Sequence, residues 1–214
     1  MVLREVYPIP PSDASASYDF QDIEEGLGFV SFNAATLSGS NILTRNAVFS
    51  NDVETIALTM SGSESKDIHR NFDTSAFNLP RIAAGTASVS IPLIVQTTGA
   101  GVRKKAYTMA EIFHVRDGTA TSLGKTTSGS HFISPAGGAV IGGTVQLHKI
   151  ALTQKLFKKN DILRLAAEGW SVDSSDAAMG IPHDPQARPG PIYFSGSNLL
   201  TTKLIADIPF RLEL

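Results

Sequence analysis

Cysteine is missing from all 214 residues. Its absence excludes disulfides, thiolate zinc sites and thiol nucleophiles. Charge is sparse as well. Charged residues make up 18% of the chain and the formal net charge is −2, so there is no basic footprint for nucleic acid. Long apolar runs are lacking. Runs such as "IPLIV" (91–95) are too short to cross a membrane. The opening "MVLREVYPIPPSD" has no apolar signal-peptide core, and no asparagine begins an N-x-S/T sequon. No binding to nucleic acid or membrane is expected. Helical patterning is equally scarce, and only "SESKDIHR" (63–70) could form a helical turn or two.

What is present is 42% apolar residues, enough for a full core, in a background of threonine, serine, glycine, valine and isoleucine. "GTASVSIPLIV" sets Ala87, Val89, Ile91, Leu93 and Val95 on one face and Thr86, Ser88 and Ser90 on the other. Such alternation marks a strand with one buried side in an antiparallel sheet. In "KAYTMAEIFHVRDG" the residues Tyr107, Met109, Phe113 and Val115 share a face, and Asp117–Gly118 reads as a hairpin turn. "TVQLHKIALT" changes phase at His148–Lys149, where a β-bulge would return Val145, Leu147, Ile150 and Leu152 to one face. In the last strand Pro209 removes a ladder donor, as on an edge strand or at a bulge.

Nine or ten such strands predict an all-β chain, an antiparallel, jelly-roll-like β-sandwich spanning 26–214. Residues 1–25, with Pro8, Pro10 and Pro11, read as an extended N-terminal arm able to lie on a neighbouring subunit.

Catalytic motifs are absent. There is no G-x-S-x-G and no Walker loop, and "GLG" (26–28) fails as a dinucleotide fingerprint because Ser31 takes the third glycine position. The five histidines, His69, His114, His131, His148 and His183, show no metal-ligand spacing. The acids Asp22, Glu24 and Glu25, and Asp173 and Asp176, read as solvated. No catalytic residue, metal or cofactor is expected, and the chain is read as a non-enzyme. Phe29, Phe113 and Phe210 fall on apolar phases and read as core, and Trp170 reads as closing one end of it. "IPHDPQARPG" (181–190), in a connection from Trp170 to Leu199, is braced by Pro182, Pro185 and Pro189. Here His183 can bond a neighbouring carbonyl, and Asp184 can cap backbone N–H groups or pair with Arg188. His183, Asp184, Arg188 and Trp170 form the candidate contact loop. Trp170, Tyr193 and Asn198 are the groups near it that could take a glycan.

The segments "SYDFQDIEEGLGFVSFNA", "NILTRNAVFSND", "LPRIAAGTASVSIPL", "LFKKNDILRLAAEGW", "IPHDPQAR" and "TTKLIADIPFRLEL" occur in this order. Together they resemble virion structural proteins of tailed phages. The resemblance implies a jelly-roll-like body on a particle made in the host cytoplasm. It implies a capsid decoration or cement protein bound to the major capsid protein, or a tail or head-fibre module that binds receptor or glycan. The "FKKNDILRL" element is also similar to a strand of trimeric tumour-necrosis-factor-like jelly rolls, which implies a homotrimer. Asn160 stands where such elements often place a turn glycine.

Overall fold

Strand β5 (Arg81–Thr97) is the spine of the molecule. Its alternation places Ala87, Val89, Ile91, Leu93 and Val95 in the core with almost no exposure. The computed structural model describes residues 27–47, 53–58, 64–97, 104–133, 140–172, 177–186 and 203–211. The expected arm 1–25, Arg188, Tyr193 and Asn198 lie outside the described residues.

The remaining strands are β1 (Leu27–Leu37), β2 (Ser40–Thr44), β3 (Val53–Leu58), β4 (Ser65–Thr74), β6 (Lys104–Arg116), β7 (Thr119–Thr127), β8 (His131–Ile133), β9 (Val140–Phe157), β10 (Ile162–Val172), β11 (Ala177–Pro182) and β12 (Ile205–Arg211). The chain is all-β, with no helix among the described residues. One edge of β5 carries β9 along its whole length. The other edge carries β12 in its first half and β11 in its second. From β12 the ladder continues through β1 and β2 to β4, β10, β6 and β7. The β4–β10–β6–β7 layer packs on the β5 layer, and one apolar cluster from both fills the space between them.

Several sequence expectations change. The ladders are antiparallel except between β2 and β4, which run parallel over Ile42↔Asp73 and Leu43↔Thr74. "SKDIHRNFDT" is a strand, not a helical turn, and it lies between β2 and β10. Its two large apolar residues, Ile68 and Phe72, are four apart, a spacing that fits both a helix and a strand face. The expected connection from Trp170 to Leu199 holds strand β11 between β3 and β5. Because Met179, Gly180 and Ile181 are buried in succession, β11 shows no alternation to read.

There is no bulge at His148–Lys149. Pairing with β5 runs unbroken there, which turns His148 and Ile150 inward and leaves Leu147 67% exposed. The register slips between Ala83 and Gly85 instead, where Gly85 takes φ +99°. The β12 ladder on the other edge of β5 is also irregular there, between Asp207 and Phe210 and so around Pro209. The Asp117–Gly118 turn holds as expected, with φ of 50° and 78° at its two central residues. Asn160 takes φ 72°, so asparagine supports the left-handed turn.

On β6 the expected core phase is reversed except at Val115, which is buried. Ala106, Thr108, Ala110, Ile112 and His114 point inward, while Tyr107, Met109 and Phe113 lie half-buried on the outer face. The polar inward residues have partners. His148 Nε2 lies 2.8 Å from Thr108 Oγ1, and His114 Nε2 lies 2.7 Å from Asp161 Oδ2. Of the three phenylalanines expected in the core, only Phe210 is buried. Edge-to-face contacts among Phe77, Phe157 and Phe210 close the end of the core, a task the sequence reading gave to Trp170.

Candidate functional site

Strand β10 reads "ILRLAAEGWSV". Leu163, Leu165 and Ala167 face the core, so Arg164, Ala166, Glu168 and Trp170 occupy the outer phase. Pairing with β4 and β6 arranges that face in rows: Lys66–Trp170–Tyr107, His69–Glu168–Met109, Asn71–Ala166–Glu111 and Asp73–Arg164–Phe113.

In the first row Trp170 and Tyr107 are direct cross-strand neighbours. Their rings are parallel within 6° and their centroids are 6.0 Å apart. The Tyr107 hydroxyl donates to the Glu64 carboxylate. Partial burial and that carboxylate push the Tyr107 phenol up to about 12, so it remains a donor at all physiological pH values.

Glu168 anchors the second row. Its side chain is only 8% exposed although it sits on the outer face. Oε1 accepts from Lys66 Nζ at 3.1 Å and from His69 Nδ1 at 2.8 Å, while Oε2 accepts from Trp170 Nε1 at 2.9 Å. Burial alone would raise this carboxyl. The bonds from Lys66, His69 and Trp170 outweigh it and hold the group below the usual glutamate range. The carboxylate therefore fixes the indole edge, an ammonium and an imidazole in one patch. Lys66 and His69 keep nearly half of their side-chain surface in water, where their other donors can meet a ligand. Further along the face, Arg164 donates through Nε and a terminal nitrogen to both Asp73 oxygens, at 2.6 and 2.7 Å.

The candidate contact loop separates into two places. His183 is fully buried, with Nδ1 3.1 Å from the Ile181 carbonyl, Nε2 2.9 Å from Thr36 Oγ1, and its ring edge-on to Phe72. Asp184 is buried too, and its Oδ1 accepts from the Gln186 backbone N–H at 3.0 Å. Phe72 pairs with Leu165 on the core phase, so His183 and Trp170 lie on opposite sides of the β4–β10 sheet. The partners of Trp170, which are Tyr107, Glu168, Lys66 and His69, were missed because they come from three strands. Only the correct phase of β6 and recognition of β4 as a strand would have brought them together. Among the described residues no three His, Asp or Glu side chains converge as a metal site, and no helix is long and apolar enough to cross a membrane.

No protein-family model and no curated protein matches the chain. Solved structures do. An aminopeptidase from a marine sediment archaeon, Thaumarchaeota archaeon, is similar with a TM-score of 0.53 at 8% identity, over 87% of this chain and 37% of that one. A CocE/NonD family hydrolase from Staphylococcus aureus has a TM-score of 0.49 at 9% identity, over 87% of this chain and 37% of its own. The structure of infectious bursal disease virus, Gt strain, has a TM-score of 0.28 at 11% identity, over 87% of this chain and 36% of its own. The aminopeptidase likeness is one of fold, and the other two scores are too low to carry an argument. The chain spans little more than a third of each of these structures.

The likeness corrects one expectation. The chain was read as a non-enzyme because it lacks catalytic motifs, yet its fold occurs within a hydrolase chain. Absence of a nucleophile motif therefore does not set the chain apart from enzymes.

Proposed function

We propose that the chain is a glycan-recognising β-sandwich module, the receptor-binding element of a virion. The observation that carries this reading is the outer-face patch in which Trp170 lies parallel to Tyr107 beside Glu168, with Lys66 and His69 held by the same carboxylate. Sugars present an apolar ring face and a rim of hydroxyls. A half-buried indole supplies the stacking surface, and fixed donors supply the hydrogen bonds. The patch lies on strands, so its geometry is set before a ligand arrives. The reading is independent of whether the module works alone or beside a catalytic domain.

A glycan array followed by calorimetry tests it. Trp170→Ala should weaken a captured glycan at least about tenfold, roughly 1.4 kcal/mol. An array on which the wild-type chain captures no glycan would end the reading.

A second reading is a shell decoration protein, homotrimeric and bound to the major capsid protein. It is favoured by β9, which pairs only with β5 among the described residues and carries exposed Leu147 and Leu156. Exposed leucines of this kind invite contact with a second chain. Failure to sediment with undecorated capsids, and a monomer in mass photometry, would remove it.

A further inference from the structure

We propose that a cleft at the β4–β5 connection binds the carboxylate of an apolar acid, of the kind a peptide ends on. The cleft has a volume of about 420 Å³ and lies between the β1–β2 end and residues 74–81. Phe32 and Leu43 are buried and give it an apolar floor. Leu79, on its rim, is 70% exposed. Arg81 lies on its wall with its guanidinium carbon 5.9 Å from the Phe77 ring centre and 5.8 Å from that of Phe210.

Three facts point to a carboxylate. Arg81 makes no salt bridge with any described residue, and its held position comes from two aromatic rings. Asp161, whose carbonyl bonds the Phe77 N–H, has both carboxylate oxygens engaged by Arg116, and one also meets His114. The wall is also preformed. Phe77 donates its N–H to the Asp161 carbonyl at 2.9 Å and accepts at its own carbonyl from the Asn160 N–H at 2.8 Å. A planar guanidinium over an apolar floor suits a carboxylate on an apolar body, and the volume lies within the range of small-ligand sites. The cleft and the Trp170 patch share no residues, so this inference does not depend on the glycan reading.

The test is an NMR titration of the full chain with N-acetyl-leucyl-leucine, with its C-terminal amide, and with octanoate. The acid should give saturable shifts at the backbone amides of 77–79 and 81, and the amide should bind at least tenfold more weakly. Octanoate binding as tightly as the peptide assigns the site to free apolar acids, and weaker binding assigns it to peptide C-termini. Either result supports the carboxylate site. Arg81→Gln should weaken the acid at least tenfold. Leu79→Ser, at an exposed position, should weaken it several-fold with the fold intact. Absence of saturation, equal binding of acid and amide, or wild-type binding by both variants overturns the proposal.

Discussion

Asp161 and His114 meet at 2.7 Å, Oδ2 to Nε2, with both side chains almost wholly removed from water. Arg116 donates to both oxygens of the same carboxylate, and the Lys158 N–H donates to Oδ2 at 2.7 Å. The Arg116 bonds lead in holding the Asp161 carboxyl well below its usual range, against the opposing effect of burial. Asp161→Asn removes the charge that all these donors face. The expected loss is about 3–5 kcal/mol in urea unfolding at neutral pH. The folded pKa is depressed, so the contribution is complete above the ordinary value of 3.8 and fades as pH falls below it. The gap between wild type and variant should narrow only in that acid range.

His148 sets a pH dependence of the same direction at milder acidity. Burial pushes it down from 6.5 to about 4, and the bond to the Thr126 carbonyl opposes this only in part. An unfolded chain takes up a proton as pH falls below 6.5, whereas the folded chain resists until about 4. Stability is therefore full above 6.5 and declines between these values, by about 3 kcal/mol in total. Burial lowers His131 in the same direction. Urea midpoints measured from pH 7 to pH 4.5 should fall, and His148→Gln should flatten most of that slope. A wild-type midpoint that stays level over this range counts against the assignment.

Two glycines should respond unequally to alanine. A Cβ at Gly124 would lie 2.5 Å from the Ala151 carbonyl oxygen, a backbone atom fixed in the β5–β9 ladder. Gly124→Ala should cost about 2–3 kcal/mol, because β7 must back away from β9. A Cβ at Gly169 would first meet the flexible end of Met179, at 3.0 Å, so Gly169→Ala should cost clearly less. Thermal melts of the two variants side by side check the order.

His183→Ala should destabilise by about 2–4 kcal/mol, since it opens a cavity against Phe72 and strips a partner from Thr36. Ligand binding at Trp170 should stay unchanged in molecules that remain folded, because the two residues are on opposite sides of one sheet. A matched loss of binding in folded His183→Ala would contradict that separation.

These residues show where the sequence was readable and where it was not. The phase of β5 was legible because apolar and small polar residues alternate from Thr86 to Ile91. On β6 the same rule pointed outward. The inward positions hold small alanines where the layers meet, and Thr108 and His114 find their partners on β9 and beside β10. Such polar residues look solvent-facing until the partner strand is known. That reversal hid the Trp170–Tyr107 pair. Asp117–Gly118 and Asn160 were legible because positive φ is a local property. The Glu168 patch was not, because Lys66, His69 and Trp170 converge only through ladders joining distant segments.

The pairing of β1 with β12 has a consequence for the order of events in time. Leu27 lies opposite Arg211, so one of the first described residues to leave the ribosome must wait for one of the last. Until then β1 has only the short β2 to pair with, and the β5 edge meant for β12 stands open. Non-local pairing of this kind makes folding slow, on the scale of milliseconds to seconds, and holds it back until β12 has been made. A ribosome stalled before residue 205 would hold a chain with its spine strand made and one side of it still unclosed.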